Sequence, residues 1–222
     1  WAWAVPFFAV TASFDVKFPR YLLPLYPLLL LGAAAMLAPR EGEGSARRLA
    51  RRGVLSLSAA YLLAFLAIYT RPHTIVAASE WVHENVAPGA TVLIQHWDEG
   101  FPFDLPDRPA ERFRRIELPF YEAEGPAKTH LLAEQLASGD VLALQTKRLY
   151  GAITRAKERY PDTDRLFRLL FAGDLGWRLE RTFASRPELL GLRLPTELAD
   201  ESFSVYDHPK VVVFRNVARL SP

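Results

Sequence analysis

Residues 21–38, YLLPLYPLLLLGAAAMLA, run for 18 positions without a charge. A helix over them would be about 27 Å long at ~1.5 Å per residue, close to the ~30 Å apolar core of a bilayer. Amphipathic soluble helices keep a polar face, and this stretch has none. Residues 54–69, VLSLSAAYLLAFLAIY, continue the pattern for 16 more positions. Snorkelling arginines and interfacial tyrosines at the ends cover the missing length. Residues 1–13, WAWAVPFFAVTAS, are also uncharged but shorter. The expectation is transmembrane helices at about 1–13, 21–38 and 54–69, the first being the end of a longer helix. The chain then reads as the C-terminal part of a polytopic membrane protein. A signal peptide fits poorly, because no basic region precedes the first run and two further apolar runs follow it.

Charge divides the chain at the same place. Residues 1–71 carry eight basic residues (Lys17, Arg20, Arg40, Arg47, Arg48, Arg51, Arg52, Arg71) and three acidic ones (Asp15, Glu41, Glu43). The remainder carries 19 basic and 22 acidic residues, for a total net charge of +2. So small a basic excess argues against nucleic acid as a partner. With half of the residues hydrophobic, the chain is not disordered. Without cysteine it has neither a disulfide framework nor a thiolate zinc site.

The loop at residues 39–53, PREGEGSARRLARRG, holds five arginines against two glutamates. By the positive-inside rule it faces the cytoplasm. Helix 21–38 then runs inward, helix 54–69 runs outward, and residues 72–222 are extracytoplasmic. The expected localisation is a multi-pass protein of the cell membrane.

Residues 72–222 read as a soluble α/β domain in which helices and strands alternate, Rossmann-like and three-layered. Ile75, Ala78, Trp81, Val82 and Val86 have helical spacing over 75–87, ended by Pro88-Gly89. Residues 127–138 predict a second helix, stopped by Gly139. Two more are expected at 148–158 and 162–172, separated by Tyr160-Pro161. Strands are expected at 91–96, 113–118, 140–145, 177–184 and 210–215. About 150 residues suffice for a core of their own.

The stretch Phe14–Pro27, FDVKFPRYLLPLYP, sets Lys17 and Arg20 at the outer mouth of a membrane helix. Two cations there suit a phosphate or pyrophosphate headgroup, or they simply anchor the helix to membrane lipid. Tyr21 and Tyr26 belong at the interface, and Pro24 and Pro27 shape the helix entry.

This K-x-x-R-Y-L-L-P-x-x-P pattern resembles the polytopic glycosyltransferases of the GT-C type, in particular family 39 with the protein mannosyltransferases and aminoarabinose-transferase-like enzymes. Thr91–Pro102, TVLIQHWDEGFP, is similar to a WDD-x-LP-like segment of bacterial members. Ala199–Arg215, ADESFSVYDHPKVVVFR, is similar to their closing segment. The resemblance implies an enzyme that moves a sugar from a polyprenyl-phosphate donor to a lipid, glycan or protein hydroxyl on the extracytoplasmic face, with no cofactor. It implies that Lys17, Arg20 and Tyr21 bind the donor's lipid phosphate. The family's catalytic carboxylate lies in the first outer loop, and no residue here matches it; Asp15 sits in a late loop. This chain by itself is therefore expected to be inactive.

His96, Trp97, Asp98 and Glu99 follow one predicted strand, and Lys147 and Arg148 follow another. The carboxyl ends of strands in open α/β sheets are where ligands collect, so these six form a possible acceptor crevice. The plainer reading is a loop capping the sheet with its acids in solvent. A metal at His96, Asp98 and Glu99 lacks a spaced partner pair. In DESFSVYDHP, Asp200, Glu201, Asp207 and His208 read as a structural corner before the last strand. The rival to the transferase is a non-enzymatic, membrane-anchored extracytoplasmic binding or assembly domain. A soluble dinucleotide-binding enzyme lacks its G-x-G-x-x-G.

Overall fold

The computed structural model describes residues 2–14, 19–96, 98, 100–199 and 201–218. The chain forms two compact units, Trp1–Leu66 with Pro187–Arg193, and Ala67–Arg186 with Leu194–Pro222.

The first unit contains α1 (Ala4–Ala12), a 3-10 turn at Pro19–Leu25, α2 (Tyr26–Leu37) and α3 (Ser45–Leu66). Pro24 falls inside the tight turn, while Pro27 occupies the first turn of α2, where its missing N–H costs nothing. Nine residues of α1 rise only about 14 Å and do not cross a bilayer by themselves. Two helices among the described residues are long and apolar enough to do so by length and composition, one over Arg20–Leu37 and one within Ser45–Asn85.

A buried soluble hairpin would hide these side chains, and the chain does not. No residue of α2 is buried, and α3 buries only Ala64. Leu30 and Leu31 are each 68% exposed and Met36 75%. Exposed apolar surface on this scale calls for an apolar neighbour. The arginine-rich loop is held by its own contacts. Arg47 donates to the Met36 carbonyl at 3.0 Å, and Arg51 pairs with Glu43 at 3.2 Å. The hairpin Glu188–Leu189 and Leu192–Arg193 also belongs to this unit and touches α3.

The second unit is an α/β domain on a five-stranded sheet. In chain order its strands are β1 (Thr91–Gln95), β2 (Arg114–Leu118), β3 (Val141–Leu144) and β4 (Trp177–Phe183). Glu188–Leu189 and Leu192–Arg193 count as β5 and β6, and β7 is Val211–Asn216. The sheet order is β2-β1-β3-β7-β4. β1 pairs parallel with β2 and β3, whereas β7 runs antiparallel between β3 and β4. Four strands therefore end at one edge of the sheet, and β7 begins there.

Period-2 alternation sends side chains to two cores. Leu93, Leu142, Leu144, Val212 and Phe214 meet α5 (Pro126–Ser138), α6 (Arg148–Ile153) and α7 (Pro161–Ala172) through Leu132, Leu149, Phe167 and their neighbours. Val92, Ile94, Val141, Ala143 and Val213 face the opposite way, onto Ile75, Ala78 and Val82 of α4 (Thr74–Asn85). Helices thus cover both faces. The edge strands β2 and β4 carry Arg114, Arg115, Glu117, Arg178 and Arg181, charges that discourage edge-to-edge pairing.

Local signals explain the boundaries. His73 accepts from the Ile75 N–H to start α4. Gly173, at φ 84°, closes α7, and the Asp174 N–H returns to Leu169 O. Gly139 follows α5 where a side chain would lie 2.4 Å from Leu93. The helix expected over 148–158 stops at Ile153, where the Thr154 hydroxyl takes up the Tyr150 carbonyl at 2.7 Å.

Candidate functional site

In the order β2-β1-β3 the chain passes from β1 to β2 on one side and then crosses back to β3 on the other, and the crevice beyond the carboxyl ends of β1 and β3 is the usual ligand position for such a sheet. Polar residues replace the apolar run there. Gln95 ends β1 and Thr146 follows β3. The Thr146 hydroxyl donates to Asp98 Oδ2 at 3.0 Å and accepts from Gln95 Nε2 at 2.8 Å and from the Arg148 N–H at 3.2 Å. Gln95 Nε2 also donates to Asp98. Arg148 reaches Asp98 Oδ1 at 3.4 Å and Glu201 Oε1 at 3.2 Å. Both carboxylates are nearly out of solvent, with side-chain exposures of 7% and 10%.

This network positions rather than reacts. The hydroxyl uses its one donor and two acceptor sites, Asp98 receives three donors, and the guanidinium fork lies between two carboxylates. It clamps the loop after β1 and the short helix α8 (Glu201–Ser204) onto the start of α6.

Among the expected crevice residues, Asp98 and Arg148 meet directly. Lys147 turns to another loop and donates to the Glu197 carbonyl at 3.3 Å and to that of Ala199. His96 points elsewhere, to Glu117 of β2 at 2.8 Å, with both side chains about half exposed beside a shallow hollow of about 360 Å³. Trp97 and Glu99 lie outside the described residues, as does Lys17 of the expected phosphate site. Of that site, Arg20 lies 5.8 Å from the centre of the Tyr21 ring, and Phe14 meets the ring edge-on at 6.0 Å. Arg20 is exposed at the first position of the apolar span. No group of three or more His, Asp or Glu side chains able to hold a metal occurs among the described residues.

A cleft of about 210 Å³ lies beside the clamp, lined by Thr146, Tyr150, Ser185, Arg186, Glu197 and His208 among others. Sequence reasoning missed Thr146 and Ser185. For Thr146 the signal was a polar residue just beyond the apolar strand β3; the charged strand β4 gave none for Ser185. Burial pushes the Tyr150 phenol up to about 12, so it stays neutral. Burial also lowers the His208 imidazole below its ordinary value; Asp207 opposes this and His73 adds to it.

The corner VYDHP is fastened to the chain that follows α3. Thr74 donates to the Pro209 carbonyl at 2.6 Å, His73 Nε2 lies 3.1 Å from the Tyr206 carbonyl, and the Tyr69 hydroxyl bonds Asp207.

No known protein family, no curated protein and no solved structure matches this chain.

Proposed function

We propose that this chain is the C-terminal portion of a polytopic membrane glycosyltransferase of the GT-C type, which moves a sugar from a polyprenyl-phosphate donor to a lipid, glycan or protein hydroxyl. The observation that carries the reading is the K-x-x-R-Y-L-L-P-x-x-P segment, whose arginine opens an apolar helix long enough to span a bilayer. The closing segment ADESFSVYDHP adds support through its similarity to the closing segment of bacterial members. In this reading α2 and α3 cross the membrane, the arginine-rich loop is cytoplasmic, and the domain after residue 72 is extracytoplasmic. Arg20 and Lys17 sit at the outer mouth and stabilise negative charge on the departing lipid phosphate. Tyr21 stacks on Arg20 and steadies it. The general base is a carboxylate supplied by another part of the enzyme.

The test is release of polyprenyl phosphate by the full-length enzyme from polyprenyl-phosphate sugars. Lys17→Ala with Arg20→Ala is expected to lower turnover by about 10²-fold or more, the scale of losing a preorganised charge partner. Unchanged donor affinity and turnover would overturn the assignment of these cations.

A second reading, a membrane-anchored binding domain, is favoured by the cleft in the second unit. It predicts a full-length protein with few further helices and no donor turnover.

A further inference from the structure

The β5–β6 hairpin is a short excursion of the chain. Residues before and after it belong to the second unit, while Pro187–Arg193 itself packs with the unit of α1, α2 and α3, β5 lying against α3. Leu189 pairs with Leu192, and Glu188 with Arg193. Leu190 and Gly191 therefore make the whole turn, at φ 52° and 83°. A two-residue turn with both φ values positive suits the twist of a hairpin, and Asn-Gly or Asp-Gly is its usual sequence.

Leucine at the first turn position is unfavourable on two counts. Its Cβ crowds the backbone in the left-handed region, which glycine, asparagine and aspartate tolerate far better. Its side chain is also 100% exposed, and that of Leu192 is 69% exposed. At such exposure no side chain among the described residues covers Leu190, so no protein contact there offsets either cost.

The hairpin's neighbour indicates what does. α3 lies in one of the two stretches long and apolar enough to cross a bilayer, and its Leu57, Leu62 and Leu63 are exposed as the hairpin's leucines are. An apolar tip beside such a helix meets the same apolar surroundings. The charges agree: Arg193 Nε pairs with Glu188 Oε2 at 3.0 Å at the base of the hairpin, and the tip beyond carries none. From Glu188 to Leu190 the strand advances about 7 Å at ~3.4 Å per residue, within the ~5–10 Å to which interfacial elements bury their apolar side chains. A protein partner would want about 800 Å² of surface, far more than two leucines and a glycine present.

We infer that this hairpin is a membrane-inserted wedge. Leu190 and Leu192 lie at the boundary of headgroups and acyl chains beside α3, with the Glu188–Arg193 pair at headgroup level. The wedge gives the chain beyond α3 a second hold on the bilayer. The inference rests on α3 crossing a bilayer, which both functional readings share, and needs no transferase chemistry.

The test uses the full-length protein in phosphatidylcholine nanodiscs, with any cysteine elsewhere replaced and one nitroxide spin label attached at Leu190→Cys, Leu62→Cys or Glu158→Cys. Power-saturation EPR compares relaxation by oxygen, which concentrates in lipid, with relaxation by a water-soluble nickel chelate. Nickel should dominate at position 158 and oxygen at position 62. The oxygen-to-nickel ratio at position 190 is expected to lie several-fold above that at 158 and below that at 62, as a shallow insertion requires. Leu192→Cys, outside the turn, is a second site should the label disturb it, and the same ordering is expected there. Nickel dominating at 190 and 192 while position 62 reports lipid would overturn the wedge and leave the spanning helix standing. Shielding of 190 and 192 from both reagents would mean cover by protein, a second copy or a partner, and would also overturn it. Nickel dominating at position 62 would overturn the spanning reading and the wedge with it.

Discussion

Tyr69, three positions beyond the end of α3, donates its hydroxyl to Asp207, 138 positions later in the chain. With Thr74 on Pro209 and His73 against Tyr206, this fastens the corner before β7 to the start of the domain. The Asp207-His208-Pro209 turn, which as bare sequence can look catalytic, therefore serves as an anchor. Thr74 is the buried member of the set, at 4% exposure. Thr74→Val strands the Pro209 carbonyl and is expected to cost about 1–3 kcal/mol in chemical denaturation. A loss below a few tenths would make the corner incidental.

A second anchor lies on the other side of the sheet. Lys128, 7% exposed, donates to the carbonyls of Phe120 and Glu122 and to Glu124 Oε1, at 2.8 to 2.9 Å. Glu124 in turn receives the Thr163 hydroxyl at 2.6 Å and the Asp162 N–H at 3.2 Å, capping α7 from outside that helix. Lys128→Met leaves a carboxylate and two carbonyls without their donor and is expected to cost about 3 kcal/mol. The conservative Lys128→Arg should recover little, since three acceptors surround one compact ammonium.

The same carboxylate sets an acid limit. Burial pushes the Glu124 carboxyl up, but bonds from Thr163 and Lys128, the lysine charge and the Asp162 N–H outweigh it and hold it below its ordinary 4.5. A folded-state value below the unfolded one contributes stability above pH 4.5, lost as pH falls through the folded value. Stability measured from pH 6 to 3 should fall less steeply in Glu124→Gln than in the native chain.

His208 acts in a higher window. Burial holds its imidazole below the ordinary 6.5, so the unfolded chain binds a proton more readily than the folded one. Stability then decreases as pH drops below 6.5. His208→Gln should flatten the profile between pH 7 and 5 while leaving the Glu124 limb in place. An unchanged slope in that interval would contradict the assignment.

Gly139 allows the close approach of α5's end to β1. A methyl group there would sit 2.4 Å from Leu93 Cδ1 and 2.5 Å from its Cγ, and Leu93 is fully buried. Gly139→Ala is expected to cost about 1–3 kcal/mol, the range for overpacking a filled core, read as a lower denaturation midpoint.

Much of the second unit was legible because its signals are periodic. TVLIQ, DVLALQ and KVVVFR are short apolar runs between turn residues; the first two contain β1 and β3 whole, and the third all of β7 but its last residue, Asn216. Pro161 and Gly173 bracket α7 as their chemistry requires. The reversed direction of β7 was not legible, since strand polarity depends on which neighbour a strand joins and leaves no mark on its composition. The hairpin at 188–193 has two-residue strands, too short for any period to show. In the candidate site, the ends of β1 and β3 could be located, but not the way their side chains turn. His96 and Asp98 are two positions apart, and Glu117 draws one while Thr146 and Arg148 draw the other. Such partners come from tertiary placement. Ser185 and the cleft were invisible for the same reason.

Both functional readings require α3 to cross a bilayer and leave residues 72–222 outside. This chain has no cysteine, so a single cysteine introduced into it reports cleanly once any cysteine elsewhere in the full-length protein is replaced. Glu41→Cys lies in the arginine-rich loop and Glu158→Cys on the folded domain, both at exposed positions. The measurement is labelling of intact cells expressing the full-length protein with a membrane-impermeant maleimide, before and after lysis. The account predicts that position 158 reacts in intact cells and position 41 only after lysis. Reaction of position 41 in intact cells, or protection of position 158 until lysis, would contradict it.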